Sequence, residues 1–312
     1  MNNSILSESL LTIGMPVFNG ENTISKSIDS LLKQTFDDFK LIISDNASTD
    51  STQKICEDYA KKDSRIRYIK QKKNIGLVPN WNFILNNSTT KYFMYAAADD
   101  TWDPQFVKKN LDVLESDENI VGSIGKVTFD LDFKNKQNIE NHSIHRDLVL
   151  NMSGTYEDRV KSCLKLNQAT AMYAIYRTAS FQKCILFNDD PGYDLEILIM
   201  TLEFGNLNVI NEFLMNRSSQ GNSSKSLVLN ALNNKSRIYK IIFPYSSVTL
   251  LCLKKLGITF FLKNLFLFLR LNANGSYLTT LDFLKLIKKN QGALRSALLH
   301  PNLASRETFV VR

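Results

Sequence analysis

The feature that most constrains this chain is the alternation of strand and helix patterns over its first 125 residues. The apolar run LLTIGMPVF predicts a buried strand, and ENTISKSIDSLLKQ follows it with Ile24, Ile28 and Leu31 at helical spacing. The runs FKLIISD, RIRYIK, KYFMYAAA and NIVGSIG predict further strands, and a helical pattern separates each from the next. Strands connected through helices form a parallel sheet with right-handed crossovers, so we expect an α/β fold.

Polar residues gather where these strands should end. In a sheet of this kind, ligands bind beyond the carboxyl ends of the strands. The polar groups at those ends are Asn19 and Glu21, Asp45 and Asn46, Asn74 and Gly76, and Asp99 and Asp100. Ordinary structural explanations exist as well, since Asp45 could form an Asx turn and Asp99 could lead into a helix cap at Asp103. Their shared position favours a ligand site over unrelated loops.

The second half of the chain alternates less regularly. Residues 126–150 are polar and predict a hairpin or a loop. After them, YEDRVKSCLKL predicts a helix, ATAMYAIYR a strand, GYDLEILIMTLEFG a helix and NLNVINEFLMNR a pair of strands. From residue 225 onward the pattern is almost wholly helical. We therefore expect one domain at 1–220, with halves at about 10–125 and 126–220, and a helical region at 221–312.

Charge is distributed unevenly between these two parts. The net charge is +7, but from Lys225 onward 14 Lys and Arg residues stand against Asp282 and Glu307. These basic residues are not interleaved with aromatic residues in an RNA-binding pattern, so we expect no nucleic-acid partner. The 4 cysteines form no CxxC pair, which argues against a zinc site or a disulfide framework. The N-terminal stretch lacks the basic flank and apolar run of a signal peptide, so we expect a cytoplasmic protein.

Five segments, in this order along the chain, resemble the motifs of the family 2 glycosyltransferases, which have the GT-A fold. The resemblance covers roughly residues 10–220. PVFNGEN is similar to the stretch that lines the nucleoside pocket in that family. SDNASTDST is similar to the turn whose Asp45 would accept a hydrogen bond from the base, and NIGLVPNWN to a loop whose Gly76 would let the backbone approach the nucleotide. The donor-binding residues that the resemblance implies are Pro16, Phe18, Asn19, Glu21, Asp45, Asn74, Gly76, Asp99, Asp100 and Arg217.

The last two motifs carry the chemistry. YAAADD lies at the position of the family's metal-binding D-x-D, so the resemblance implies that Asp99 binds Mg²⁺ or Mn²⁺. Ala97 stands where the family has the first of those aspartates, and Ser219 stands where it often has a histidine after Arg217. The implied metal site is therefore incomplete. In GYDLEIL, Asp194 matches the family's catalytic base.

These residue types suit transfer of a sugar from a nucleotide diphosphate. A divalent cation stabilises the charge on the departing diphosphate, and such a cation prefers carboxylate oxygens. A carboxylate base takes the proton of the attacking hydroxyl, which is typically worth about 10²–10⁴-fold in rate. One base with direct displacement implies inversion at the anomeric carbon. The resemblance implies a setting in the synthesis of a surface polysaccharide, lipopolysaccharide or glycoprotein glycan.

Alternatives to this interpretation stay open. Asp194 could be an ordinary helix N-cap, and Glu196 is a neighbouring candidate for the base. Arg217 could bind the diphosphate or pair with a surface carboxylate. The chain could also be a non-catalytic member of the same fold that binds a nucleotide sugar or scaffolds an assembly. A nucleotidyltransferase would need a Gly-rich phosphate loop bearing Arg or Lys after the first strand, and PVFNGEN has neither.

The helical region has two explanations. The stretch LKKLGITFFLKNLFLFLRL is rich in Leu and Phe, but Lys263 and Arg270 interrupt it before it reaches the roughly 18–20 uncharged residues of a spanning helix. Such helices suit the surface of an anionic membrane, or they pack on the catalytic domain with a solvated basic face. A membrane contact would suit a peripheral protein on the inner face of the cell membrane. Its acceptor would be a glycan or a polyprenyl-phosphate-linked sugar.

Overall fold

Strands and helices alternate through the first part of the chain. A computed structural model describes residues 9–129, 146–147, 149–166, 169–186, 192–218, 243–277 and 280–281. The elements of the first part are β1 (Leu11–Val17), α1 (Ile24–Leu32), β2 (Phe39–Asp45), α2 (Thr52–Lys62), β3 (Ile66–Lys70), α3 (Leu77–Asn86), β4 (Tyr92–Tyr95), β5 (Thr101–Trp102) and α4 (Phe106–Ser116). Strand β1 lies between β2 and β4 and is parallel to both, and β2 is parallel to β3.

The second part completes a single mixed sheet. Its elements are β6 (Ile120–Phe129), β7 (Arg146–Asp147), α5 (Tyr156–Leu166), a 3₁₀ helix (Thr170–Tyr173), β8 (Ile175–Arg177), α6 (Thr178–Phe181), α7 (Tyr193–Thr201), β9 (Asn206–Arg217) and α8 (Ser246–Lys263). A further helix, α9, covers 265–277. The nine-stranded sheet has the order β3-β2-β1-β4-β8-β6-β9-β5, and β7 pairs with β6. The predicted α/β architecture with a mostly parallel sheet, flanking helices and C-terminal helices is confirmed.

Strand β1 shows why the N-terminal sheet forms from this sequence. Leu11, Ile13 and Met15 are fully buried on one face. On the other face, a Cβ atom on Gly14 would lie 2.5 Å from Cγ2 of Ile84, so α3 packs directly on the backbone of the strand. A parallel strand that is covered on both faces needs a continuous apolar run, and this is the pattern seen in LTIGMPV.

Two local predictions in the second half are wrong. The segment ATAMYAIYR forms a 3₁₀ helix followed by the short strand β8, because a short buried apolar run fits either backbone equally well. The segment NLNVINEFLMNR forms one strand, β9, and not a pair. Its central polar residues, Asn211 and Glu212, do not turn the chain. The register against β6 passes from Gly125↔Ile210 to Lys126↔Phe213, so a bulge accommodates them.

The sheet aligns the loops that carry the predicted site. In the parallel register, Val17 lies beside Asp45, and Asp45 lies beside Lys70. The loops that follow β1, β2 and β3 therefore leave the same edge of the sheet side by side. Residues 96–100, here called the acidic turn, leave β4 at that edge, where Ala96 N donates to Gly14 O at 2.8 Å.

Helices α8 and α9 form an antiparallel hairpin. Gly257, with φ of +79°, interrupts the helical backbone of α8. At one end of the hairpin, Tyr245 N donates to Asn272 Oδ1 at 3.2 Å. Toward the other end, the rings of Phe260 and Phe268 lie 6.4 Å apart. Among the helices that the structure describes, none is both long and apolar enough to cross a bilayer.

This hairpin packs on the rest of the protein. Val248 and Cys252 of α8 are fully buried, and α8 contacts α7. At the surface, Lys255 Nζ lies 2.6 Å from Glu203 Oε2. The domain boundary predicted at residue 220 falls within 219–242, which lies outside the described residues, and it stays a prediction.

Candidate active site

The loop after β1 is bonded to the loop after β2. Asn19 N donates to Ser48 Oγ at 2.9 Å, and Asn19 Oδ1 accepts from Thr49 N at 2.9 Å. Glu21 Oε2 accepts from Ser51 N at 2.9 Å. Asn19 has a φ of +52°, a conformation that Asn tolerates better than most residues. The side chains of Asn19 and Glu21 therefore hold the loops after β1 and β2 together, and their contact with a nucleoside stays a prediction.

Pro16 and Phe18 frame the start of this loop. Pro16 lies within β1, beside Ser44 of β2, and is partly exposed. The Phe18 side chain is 39% exposed directly after the strand. Phe18 therefore presents part of its ring to solvent at the carboxyl end of the strand.

Asp45 is fully buried and bonded on both carboxylate oxygens. Oδ1 accepts from Ser48 N at 2.7 Å, and Oδ2 accepts from Tyr68 Oη at 2.6 Å. Burial raises the pKa of Tyr68, and the hydrogen bond to Asp45 raises it further, so Tyr68 stays a donor. The predicted contact with the base requires either a further hydrogen bond to this carboxylate or displacement of the Tyr68 hydroxyl. The role of Asp45 stays a prediction.

An amide network joins the second and third loops. Asn46 Nδ2 donates to Asn74 Oδ1 and to Gly76 O, both at 3.0 Å. Asn46 Oδ1 accepts from Ile75 N at 2.8 Å. Gly76 has a φ of +93°, which L side chains rarely adopt, and it precedes α3. The structure thus brings the predicted residues Asn74 and Gly76 against the strand end that carries Asp45.

The two carboxylates of the acidic turn have different surroundings. Asp100 is buried, its Oδ1 accepts from Ser218 N at 3.0 Å, and its Oδ2 lies 3.8 Å from Arg217 Nε. Asp99 is half-buried. Burial raises the pKa of Asp99, and the positive charge of Arg217 opposes that rise. Asp100 therefore anchors the end of β9, and Asp99 is the carboxylate of the pair that is left for a ligand.

Arg217 is the positive centre of this region. Its Nη1 donates to Thr170 Oγ1 at 3.1 Å, and its guanidinium carbon lies 5.4 Å from the ring centre of Tyr173 and 5.6 Å from that of Phe129. Such stacking on aromatic faces holds a guanidinium in one orientation. Of the two roles considered for Arg217, pairing with a surface carboxylate does not describe its contact, because Asp100 is buried.

Asp194 lies in the first turn of α7, directly after Gly192 and Tyr193. Its Oδ1 accepts from Leu195 N at 2.9 Å. Burial raises the pKa of Asp194, and the charge of Arg217 opposes the rise here as well. Asp99 and Asp194 are far apart in sequence, yet the field of a single guanidinium reaches both. The convergence of these two carboxylates on one cleft stays a prediction.

Glu196, the alternative base, has other neighbours. Burial raises the pKa of the Cys252 thiol on α8, and the negative charge of Glu196 raises it further. Two residues along a helix differ by about 200° in direction, so Asp194 and Glu196 point to nearly opposite sides of α7. The charge of Arg217 acts on the pKa of Asp194, and this favours Asp194 as the candidate base, which stays a prediction.

Aromatic side chains complete the region, and the sequence interpretation missed Tyr173. The Trp81 ring centre lies 6.2 Å from that of Tyr173 and 6.4 Å from that of Tyr193. Burial raises the pKa of Tyr173 far above its ordinary value, and the charges of Asp100 and Asp99 raise it further. Tyr173 sits in the segment that was predicted as a strand, and no motif in the sequence marked it. Trp81 is mainly a packing residue, since it belongs to the buried core.

The residues present fit a metal ion only together with a substrate. Within the described ranges, no group of three His, Cys, Asp or Glu side chains could hold a metal by itself. Asp100 is bonded to Ser218 and paired with Arg217, and Ser219 lies outside the described residues. Asp99 alone remains as a hard oxygen ligand. Mg²⁺ is commonly held by one or two carboxylates plus substrate phosphates and water, so Asp99 fits a cation that arrives with a diphosphate.

The sequence matches the model of a known family. Residues 12–185 match the model described as Glycosyl transferase family 2. Glycosyltransferase GlyA of Streptococcus pneumoniae is 33% identical over 104 residues, which are 33% of this chain and 15% of that protein. WfgD of Escherichia coli is 27% identical over 158 residues, which are 51% of this chain and 58% of that protein. Its name describes a UDP-Glc:alpha-D-GlcNAc-diphosphoundecaprenol beta-1,3-glucosyltransferase. The match covers 15% of the length of GlyA, and matches to two other curated relatives cover 34% and 44% of their lengths.

Solved structures of low sequence identity share the fold. Residues 1–349 of S. aureus TarS in complex with UDP-GlcNAc superpose with a TM-score of 0.55 at 16% identity, covering 78% of this chain and 73% of that one. The mannosyltransferase PcManGT from Pyrobaculum calidifontis, in complex with GDP-Man and Mn²⁺, superposes with a TM-score of 0.53 at 12% identity. This match covers 95% of this chain and 79% of that one.

Proposed function

Because the chain belongs to glycosyl transferase family 2, we propose that it transfers a sugar from a nucleotide-diphospho-sugar to a glycan or lipid-linked acceptor, with inversion at the anomeric carbon. The observation that carries the proposal is the position of Arg217. Its Nε lies 3.8 Å from Asp100 Oδ2 in the acidic turn, and its charge lowers the pKa of both Asp99 and Asp194 against the effect of burial. A cation beside two carboxylates of raised pKa suits an anionic leaving group and a general base.

The donor in this proposal carries uridine or thymidine diphosphate, with guanosine diphosphate as the next choice. The loops that hold Asn19, Asp45 and Gly76 would bind its nucleoside. A carboxylate such as Asp45 accepts a hydrogen bond from the imide of uracil or thymine. The complex of TarS with UDP-GlcNAc on the same fold supports the uridine choice, and that of PcManGT with GDP-Man keeps guanosine as the alternative.

In the proposed mechanism, Asp194 removes the proton of the acceptor hydroxyl as that oxygen attacks the anomeric carbon. The bond between the anomeric carbon and the diphosphate breaks, and the electron pair leaves with the diphosphate. The pKa of a general base should lie near the working pH, and burial moves the pKa of Asp194 in that direction. Arg217 would stabilise the charge that develops on the diphosphate. Direct displacement with one base inverts the anomeric configuration.

In this proposal, Asp99 would hold Mg²⁺ or Mn²⁺. When bound with the donor, the ion supplies further charge stabilisation to the diphosphate. The presence of Mn²⁺ in the complex of PcManGT supports this part of the proposal. Ala97 supplies no ligand, so the diphosphate and water would have to complete the coordination.

The acceptor in this proposal is part of surface polysaccharide or glycoconjugate synthesis. WfgD, which matches 51% of this chain, is named for a lipid-linked diphosphoundecaprenol acceptor. A polyprenyl-phosphate-linked acceptor would bring the protein to the inner face of the cell membrane as a peripheral protein. The cationic helical hairpin is consistent with that location.

A non-catalytic member of the fold is the second candidate. Two observations favour it: Asp45 is already bonded on both oxygens, and Asp100 is paired with Arg217. Such a protein would bind a nucleotide sugar or scaffold an assembly without turnover. Donor hydrolysis in the presence of Mn²⁺ separates the two candidates, because a donor that binds without any hydrolysis favours the second.

Thermal shift with nucleotide diphosphates and their sugars, with and without Mn²⁺, tests donor binding directly. A ligand that binds only the folded state raises Tm by mass action. We expect UDP or dTDP to raise Tm more than GDP, ADP or CDP does. Absence of a shift with every nucleotide would overturn the proposed function.

A further inference from the structure

The tip of the helical hairpin carries exposed apolar side chains that the proposed reaction does not use. Five such side chains lie within residues 258–269, and we call them the tip surface. They are Ile258 (60% exposed), Leu262 (61%), Leu265 (40%), Phe266 (75%) and Leu269 (61%). Because they flank the turn between α8 and α9, they lie close together. A contiguous exposed apolar patch marks an interaction surface, whereas single exposed apolar residues do not.

The fold does not need these side chains for its own core. In the same two helices, Phe260 and Phe268 are buried and pack against each other, with Phe261 5.2 Å from the Phe268 ring centre. The hairpin therefore has one apolar side in the protein and a second apolar side facing away from it.

The charged side chains of the hairpin itself are all cationic. The stretch 243–277 contains no Asp or Glu. Lys254, Lys263 and Arg270 are exposed close in sequence to the apolar side chains, and Arg270 also donates through Nη2 to the carbonyl oxygen of Lys165 on α5. A partner for this surface must therefore be apolar and anionic at once. A second copy of the tip is a poor partner, because a symmetric contact would place Lys263 and Arg270 against the same cations.

We propose that the tip surface docks into the headgroup–acyl boundary of an anionic bilayer. Leu and Phe side chains enter that boundary, and Lys and Arg pair with anionic headgroups. The inference deepens the proposed function by naming the surface that would bring the enzyme to a lipid-linked acceptor, and it rests on that function only for the acceptor. The other end of the hairpin reaches the base-bearing helix, since the Tyr245 ring lies against Gly192.

Sedimentation of the full chain with vesicles tests this docking. The vesicles contain phosphatidylcholine alone or phosphatidylcholine mixed with phosphatidylglycerol. We expect binding to the mixed vesicles only, and weaker binding at high salt, because each Lys or Arg near an anionic surface contributes about fivefold. The double variant Leu262→Gln/Phe266→Gln should weaken binding by about a hundredfold, because each lost apolar side chain costs about tenfold. Lys263→Glu should weaken it by more than about fivefold, because repulsion replaces attraction.

Matched changes elsewhere on the surface serve as controls. Leu150→Gln alters an exposed leucine outside the hairpin, and Lys62→Glu alters an exposed lysine at the end of α2. Both should leave vesicle binding unchanged. Equal loss in a control and in the tip variants would overturn the proposal, as would wild-type protein that binds neither kind of vesicle.

Two other occupants of the tip surface give distinct results. A wild-type dimer that becomes monomeric in Leu262→Gln/Phe266→Gln, without vesicle binding, would assign the surface to a second copy. A large fall in Tm of the same variant, again without vesicle binding, would assign it to a segment of this chain. Either result overturns membrane docking. Nucleotide-induced thermal shift, measured on the same samples without vesicles, reports separately on the proposed function.

Discussion

The ring of Tyr245 occupies the space that a side chain on Gly192 would need. A Cβ atom on Gly192 would lie 2.5 Å from Cδ1 of Tyr245, and one on Gly275 would lie 2.6 Å from Cε2 of the same ring. Gly192 precedes α7 with a φ of +89°. The C-terminal hairpin therefore inserts a ring directly behind the helix turn that carries Asp194, so it is part of the support of the candidate base.

We predict that Gly192→Ala lowers both stability and turnover. The positive φ and the contact with Tyr245 together should cost about 2–4 kcal/mol in the free energy of unfolding. Turnover should fall because the first turn of α7 has to move, and it should recover in part when Tyr245→Ala is added. Denaturant unfolding and donor turnover measure the two effects.

Gly257→Ala is the matched control for this change. Gly257 also has a positive φ, of +79°, but nothing lies within 4 Å of a Cβ atom built there. It should lose stability through backbone strain, about 1–3 kcal/mol, and keep its turnover number. Full turnover in Gly192→Ala would show that the contact with Tyr245 does not support the base.

Replacement of the base should separate stability from activity. We expect Asp194→Asn to reduce turnover by about 10²–10⁴-fold. Because burial raises the pKa of Asp194 in the folded state, its contribution to stability is complete below the unfolded pKa and is lost as pH rises through the folded pKa. Asn has no charge to bury, so the variant should be more stable than wild type at neutral pH, and the difference should shrink in acid. Urea unfolding of both proteins at neutral and at acidic pH measures this difference in the free energy of unfolding.

Glu196→Gln provides the comparison within the same helix. Glu196 lies about 200° around α7 from Asp194, and its charge raises the pKa of Cys252, so its replacement should leave most of the turnover. A greater loss of turnover in Glu196→Gln than in Asp194→Asn would reverse the assignment of the base.

The charge of Arg217 should appear in the pH dependence. The base must be ionised, so the acid limb of kcat/KM reports the pKa of Asp194 in the free enzyme. Arg217 lowers that pKa against the effect of burial. Arg217→Gln should therefore move the acid limb to higher pH, and Arg217→Lys should move it less. Arg65→Gln removes a guanidinium that pairs with Asp63 instead, and it should leave the limb in place. An unmoved limb in Arg217→Gln would contradict the coupling.

If uracil reaches Asp45 by displacing the Tyr68 hydroxyl, the two compete for the same carboxylate oxygen. Tyr68→Phe should lower the free energy of unfolding by about 1.5–3 kcal/mol, because a buried carboxylate loses a donor. A uracil imide can restore that hydrogen bond, so the rise in Tm with UDP should be larger than in wild type. Tyr59→Phe is the control, because Tyr59 Oη also donates to an aspartate, Asp29, at 2.7 Å, but outside the site. A smaller shift with UDP in Tyr68→Phe would show that Tyr68 positions Asp45 rather than competing for it.

The metal dependence of donor binding should rest on Asp99. In Asp99→Asn, the additional rise in Tm that Mn²⁺ gives to UDP should disappear, and the rise with UDP alone should remain. Asp112→Asn, at an exposed carboxylate on α4, should behave like wild type. Retention of the Mn²⁺ effect in Asp99→Asn would place the ion on other ligands.

The sequence predicted the N-terminal strands of the sheet more accurately than the strands of the second half. Regular apolar runs such as LTIGMPV specify a strand because both faces of a parallel sheet are covered. The short run at Thr170–Tyr173 specified nothing so definite, since a buried 3₁₀ turn and a buried strand have the same composition. A pair of strands was predicted over NLNVINEFLMNR, but a bulge lets Asn211 and Glu212 face solvent without ending β9.

The site divides in the same way. Asp45 and Asp99 could be selected from the sequence because they lie at the ends of predicted strands, and Asp194 because GYDLEIL resembles a motif of the family. By itself the sequence determined which carboxylates lie at the ends of elements, because periodicity and strand-end position are local properties of the chain. Only the tertiary structure decided that Asp100 is bonded to Ser218, that Asp45 is bonded to Tyr68, and that Arg217 acts on both Asp99 and Asp194. Those contacts join residues that are distant in the chain, and they depend on how the strands are ordered in the sheet.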